Sequence, residues 1–262
     1  MKNANKFFLL IFILMLTSLI RMSAQSIDAL LDEGEKYYKQ FNNEKALEVF
    51  KKAEKIDATN FELLWRLSRT YVELAEKMPT ENGDQKDAQL VVYQKGLEYA
   101  EKAVNKDPNS SAGYLRRAIA NGRVALFKGI FSVAGVVNQV RADAEKAIQL
   151  NNGGNFLQGV AHYVLARTHA KTSEKWKPAR AVLGLGWADN EVALEEYKKA
   201  IALYPTYLMF YVDYAISLER EDDYKTAREM LTKAFNCQKQ NQDDDNRLVE
   251  AKKLWEEIKN KN

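Results

Sequence analysis

Apolar and polar positions recur along most of this chain with the period of an α-helix, and two stretches repeat one template. Between Glu191 and Lys239, Ala193, Tyr197, Ala200 and Pro205 fall at spacings of four, three and five. Tyr211 and Ala215 open the next helix, and Ala227, Leu231 and Ala234 then repeat the four-and-three step. Ala193 and Ala227 are 34 residues apart. Small side chains at such places let two helices cross closely, and an aromatic ring fills the gap beside them. The pattern predicts antiparallel helix pairs stacked into an array.

The same residues recur upstream. A first unit from Ile27 has Gly34 and Tyr37 on one helix, a turn at Asn42 and Asn43, and Ala46, Phe50 and Ala53 on the other. A second unit from Phe61 carries Leu64, Leu67, Ser68 and Tyr71, a loop over Met78 to Lys86, then Gly96, Ala100 and Ala103, closed by Pro108. Gly96 and Ala100 are small enough to require something bulky against them. A third, from Ser111, has Tyr114 and Ala118, Asn121 in an aromatic position, and Val140, Ala144 and Ala147 before a stop at Asn151 to Gly154. In the fourth, Leu165 and Ala166 pair with the Ala193 helix. Asp243 to Asp245 offer caps to a last helix with Leu248, Ala251, Leu254, Trp255 and Ile258 as its apolar stripe.

The small residues that open the second helices are Ala46, Gly96, Val140, Ala193 and Ala227, separated by 50, 44, 53 and 34 residues. Three units therefore carry insertions, all between the two helices of a pair. Like turns of a stacked array project from one edge, so the insertions should gather there. The second, around Phe127 to Val137, is almost wholly apolar; a lengthened helix pair packed on the core is the plainer reading, a membrane- or partner-touching loop the sharper one. The third, Ser173 to Asn190, should form a short helix ended by Gly184 and Gly186 and followed by Trp187.

The 34-residue period with its small, aromatic, small, proline order resembles the tetratricopeptide (TPR) repeat family. That resemblance implies an all-α, right-handed superhelix of about five degenerate hairpins plus a C-terminal capping helix, and a non-catalytic scaffold that binds a peptide or protein on its concave face. Residues 163–236, above all the run from Tyr163 to Pro205 with KW, LGLG and VALEEYKKAIALYP, are also similar to the "regulator of microtubule dynamics" family, helical-repeat proteins of the same kind. Tubulin binding does not follow from this second resemblance.

Composition changes the picture at the amino terminus. Lys2 and Lys6 precede an apolar run from Phe7 to Ile20, with small residues up to Ala24, as in a secretory signal peptide. Residues 1–24 are therefore expected to be removed and 25–262 to form the repeat domain, placing the protein in the periplasm or outside the cell. The alternative is an uncleaved amino-terminal anchor and a membrane-tethered assembly factor. The leader holds three of the 39 basic residues, and the 36 that remain equal the 36 acidic ones. That balance removes any global pull toward nucleic acid or anionic lipid and leaves room only for local patches. Cys237 is the only cysteine, so stability must come from packing.

Chemistry-bearing motifs are weak. His162 and His169 are seven apart and read as packing histidines, Gly184-Leu185-Gly186 follows no strand, and Glu221 to Asp223 read as helix caps. No metal, cofactor or enzymatic activity is expected. The candidates that remain occupy the inward places of the first helices: Tyr38, Trp65, Arg69, Leu115, Tyr163, Arg167 and Val212, with Arg116 and Arg117 as weaker choices. Aromatics and arginines are the residues on which peptide-binding hot spots rely. A second function class is a carrier that holds a small apolar ligand between the insertions, motivated by the Phe127 to Val137 run.

Overall fold

The structure is a computed structural model and describes residues 26–262. The expected leader lies outside the described residues. Twelve α-helices follow one another: α1 (Ile27–Lys39), α2 (Asn43–Glu54), α3 (Phe61–Glu76), α4 (Gly83–Lys106), α5 (Ser111–Lys128), α6 (Ala134–Leu150), α7 (Gly154–Ser173), α8 (Lys177–Val182), α9 (Asn190–Leu203), α10 (Leu208–Glu219), α11 (Tyr224–Phe235) and α12 (Asp244–Ile258). There is no strand among the described residues.

Helix starts are set by short polar side chains that satisfy the otherwise unpaired first amides. Ser26, Asn42, Asn60, Asn82, Asp189 and Asp223 accept from backbone N–H groups of α1, α2, α3, α4, α9 and α11. α6 stops where Asn151 turns left-handed at φ 47°. The helices pair as five hairpins, α1/α2, α3/α4, α5/α6, α7/α9 and α10/α11, and α12 packs across α10 and α11.

The repeating small residues lie inside these pairs. Ala46, Ala193, Ala200, Ala227 and Ala234 are completely buried. At Gly34 of α1 the approach is closer still: a β-carbon there would sit 2.3 Å from the Phe50 ring of α2. Gly96 does the same for α3 and α4, where Val72 and the Ser68 carbonyl fill the space a side chain would take. α10 is buried on every side, with ten of its residues, Leu208 to Ala215, Ser217 and Leu218, out of solvent.

The insertions extend the hairpins at their turns. α5 runs on to Lys128, and a 3₁₀ turn at Ile130–Val133 leads into α6. The third insertion holds α8, then a turn with Gly184 at φ 71°. The second and third pack together: Leu185 is fully buried with Ala125, Ile130 and Val137. Trp187 donates from Nε1 to Asn138 Oδ1 at 2.7 Å, and the Arg141 guanidinium covers its ring. Within the apolar run Ile130 and Val137 are core, Phe127, Val133, Ala134 and Val136 are half-buried, and Phe131 is exposed, so it serves both as packing and as surface.

One feature runs against an open superhelix. The 236–243 segment between α11 and α12 crosses to the first two hairpins. Gln242 donates from Nε2 to the Glu73 carbonyl on α3 at 2.6 Å and accepts from Asn43 Nδ2 on α2 at 2.8 Å. These partners stand 169 and 199 residues away in sequence. The segment acts as a strap across the concave side.

Close packing at Gly34 gives a direct check. Gly34→Ala should lower unfolding stability in urea by about 1–3 kcal/mol, the usual cost of overpacking a filled core. Unchanged or increased stability would show that the Phe50 ring yields freely and that the contact does not limit the hairpin.

Candidate functional site

The first helices of the hairpins turn one face inward, and these faces line a chamber of about 870 Å³. Glu35 and Tyr38 come from α1; Trp65, Arg69, Val72, Glu73 and Glu76 from α3; Leu115, Arg116, Ile119, Arg123 and Leu126 from α5. Phe156, Val160, Tyr163, Val164 and Arg167 come from α7, and Tyr207, Gln240 and Asn241 close the wall by the strap. Along each helix the lining residues are adjacent or recur three or four apart, because that spacing repeats one helix face. The volume falls in the range of ligand-binding pockets.

Six of the seven sequence candidates, Tyr38, Trp65, Arg69, Leu115, Tyr163 and Arg167, meet at this chamber. Val212 does not. It is fully buried in the core cluster of α7, α9, α10, α11 and α12, which surround α10 and cover the face where the concave position was expected. Met209, one turn earlier, reaches the chamber instead.

Charge divides the chamber. Arg69 is paired with Glu35 and its guanidinium lies 3.4 Å from the centre of the Tyr38 ring. Burial opposes ionisation of Glu35, but Arg69 and Arg66 hold its carboxyl below the usual range. Arg123 pairs with Glu76. Arg167 pairs with Asp213, which also accepts from the Tyr163 hydroxyl at 2.6 Å and from Arg247 of α12. Asp213 is buried, yet its two arginines depress its pKa well below the ordinary aspartate value.

Arg116 is different. Of the four arginines that line the chamber, it alone has no carboxylate within ion-pair distance among the described residues. Its guanidinium packs 5.6 Å from the centre of the Trp65 ring, which Arg69 also approaches. Burial and the nearby Arg69 charge push its pKa down to about 10, so it stays charged at neutral pH. Glu73 is the acid nearest in kind, and burial together with Glu76 raises its pKa to about 7. Near neutral pH that carboxyl is therefore partly protonated and only partly offsets Arg116.

Sequence spacing placed Arg116 on the inward face but could not rank it, because pairing is decided by residues 30 or more positions away, as with Arg69 and Glu35. Arg117, the other weaker choice, is bound to Asp143 of α6 at 2.7 Å and is absent from the chamber wall. The histidines are packing groups with partners: His162 Nδ1 lies beside Glu196, and His169 accepts from the Asp189 amide and meets Trp187 edge-on.

With this geometry the relatives can be placed. The family profile described as "Regulator of microtubule dynamics protein 1-3" matches residues 25–259. The chain belongs to this family. The likeness read from residues 163–236 thus extends over the whole described domain. Regulator of microtubule dynamics protein 1 of Bos taurus is 30% identical over 125 residues, 48% of this chain and 38% of that protein. The Mus musculus protein of the same name is 28% identical over 125 residues, 48% of this chain and 39% of its own. The matched stretch spans well under half the length of either relative.

Solved structures give the fold. A thermophilic TPR protein from Thermus thermophilus superposes with a TM-score of 0.60 at 20% identity, over 87% of this chain and 100% of that one. PilF of Pseudomonas aeruginosa does so at 0.52 and 14% identity, over 88% and 84%. The family member described here is therefore an all-α, TPR-like array.

Asp213 offers a test of how the last two hairpins and the cap are held. Asp213→Ala leaves the Arg167 and Arg247 guanidinium groups without their common carboxylate, so stability should fall by about 3–5 kcal/mol in urea unfolding. A loss below about 1 kcal/mol, the size of an exposed ion pair, would mean that water replaces the carboxylate and that the cap is held by apolar packing alone.

Proposed function

We propose that this chain is a non-catalytic binding scaffold whose ligand seats in the chamber beneath the strap. Arg116 carries the reading: a guanidinium held by Trp65, without a carboxylate of its own, on the wall of a cavity whose other three arginines are each paired with a carboxylate. A cation left in that state is a receptor for an anion. The end of a partner polypeptide meets the description. Its terminal carboxylate would lie on Arg116, with its last side chains against Leu115, Ile119, Val160 and Val164. The TPR-like fold supports a protein or peptide partner, and the absence of a readable nucleophile or metal-ligand motif supports a role without catalysis.

A second reading has its own support. The chamber wall runs on to the exposed Leu126 and the buried Ile130, Val137 and Val140, the apolar side chains in and beside the second insertion. A small amphipathic molecule with an anionic end would use that wall for its apolar body.

Both readings make Arg116 the anchor. Immobilised peptides with free C-terminal carboxylates should retain the protein, and the same peptides amidated should not. Arg116→Gln should weaken retention by about tenfold to a hundredfold, the size of a lost charged hydrogen bond. Arg117→Gln, on the far side of the helix, should leave it unchanged. Equal retention on acid and amidated peptides would defeat the polypeptide reading. Saturation by a medium-chain fatty acid, weakened by Arg116→Gln, would then establish the second.

Export on residues 1–24 belongs to the same proposal. Amino-terminal sequencing of protein recovered from its native cell envelope should begin at Gln25 or Ser26. Recovery with the leader still attached would replace export of a free protein by tethering.

A further inference from the structure

The outer edge formed by the second and third insertions exposes large apolar side chains. Phe131, in the 3₁₀ turn, is 40% exposed. On α8 and its flanks Trp176 is 73%, Val182 88% and Leu183 37% exposed. Single exposed apolar residues are ordinary, but four on two neighbouring insertions are a patch.

The patch stands on a firm base. Leu185, Ile130 and Val137 pack into one buried cluster that joins the two insertions. The buried Arg180 side chain donates from Nε to the Lys175 carbonyl at 2.9 Å and from Nη1 to the Ala188 carbonyl at 2.6 Å. These bonds close the α8 turn and keep Trp176, Val182 and Leu183 on its outer side.

Its charge is one-sided. Lys128, Lys175 and Lys177 are exposed around the apolar side chains, and none of them is in an ion pair. From Leu126 to Asn138 there is no acidic residue, and from Ser173 to Trp187 only Glu174, which is bound to Lys171. Without its leader the chain is balanced in charge, so the excess is local to this edge.

We propose that this edge docks on an anionic lipid bilayer. Trp176, Phe131, Val182 and Leu183 would enter the interface, where an indole is at home, while the three lysines meet lipid phosphates. The mode is peripheral, since no described helix is long and apolar enough to cross a membrane. The lysines favour a lipid surface over a second copy of this chain, because two such edges brought together would repel.

Vesicle flotation tests it, using the full chain and the chain cut after Ala24, which keeps every described helix. Vesicles of phosphatidylcholine with about a third phosphatidylglycerol should lift both chains, and phosphatidylcholine alone should lift the cut chain far less. Lys175→Gln and Lys177→Gln should each weaken binding of the cut chain roughly fivefold, and added salt should do the same. Trp176→Ser with Val182→Ser should abolish flotation of the cut chain without shifting its thermal unfolding, since both side chains are largely exposed, and the triple variant that adds Leu183→Ser should do the same for flotation. Three results would overturn the proposal. One is flotation of the cut chain indifferent to phosphatidylglycerol or to these substitutions. Another is no flotation of the cut chain at all. The third is a concentration-dependent dimer, in sedimentation, that the triple substitution dissolves.

Discussion

The distance that alanine and glycine permit between two helix backbones is the constraint on which the rest depends. Ala46, Ala193, Ala200, Ala227 and Ala234 are completely buried at the contacts within pairs, and Gly34 lies against an aromatic ring where no side chain would fit. With bulk excluded there, each hairpin is thin at its crossing and stacks closely on the next. The first helices then share an inner wall, and their inward residues converge on a single chamber.

Convergence has an electrostatic consequence. Charged side chains brought inward leave water, and a buried charge is tolerated when it is paired and hydrogen-bonded. The chamber wall meets this condition with Glu35 on Arg69, Glu76 on Arg123 and Asp213 between Arg167 and Arg247, and Asp143 on Arg117 meets it away from the wall. The Asp213 triad also joins α7, α10 and α12, so it helps to seat the capping helix. Arg116 departs from the rule. It is held by ring contact, and burial keeps the nearby Glu73 carboxyl above the usual carboxylate range. An arginine left without a carboxylate among three that have one gives that part of the wall its own character.

Much of the fold was legible because its signals are local. A helix face is written at spacings of three and four, and helix starts by residues such as Asn60 and Asp223 beside the amides they cap. Insertion lengths followed from the separation of the small residues, and the α8 turn from Gly184. What stayed illegible is long-range. Val212 has the spacing of a concave residue, but α12 returns over α10 and seals that side, which depends on a helix more than thirty residues downstream. The strap is harder still. Gln242 sits in a polar run that reads as an ordinary linker, and its amide finds a donor 199 residues earlier and an acceptor 169 residues earlier. Arg116 and Arg117 are adjacent and alike in sequence, and only the placement of Asp143 and Trp65 separates a paired outer arginine from an unpaired inner one.

The same geometry explains why two surfaces can be specialised independently in one short array. Inward positions of the first helices answer to the chamber, where every substitution alters a charge balance or a wall. Turns within pairs answer to nothing but their own anchoring, so they can lengthen without disturbing the stack. Here three of them have lengthened, and the second and third have packed on each other through Leu185, Ile130 and Val137, which gives the outer edge a core of its own. A basic, partly apolar edge and a chamber with one unpaired arginine are thus separate products of one rule: small residues fix the helices within each pair, and what remains free is the inner face and the turn.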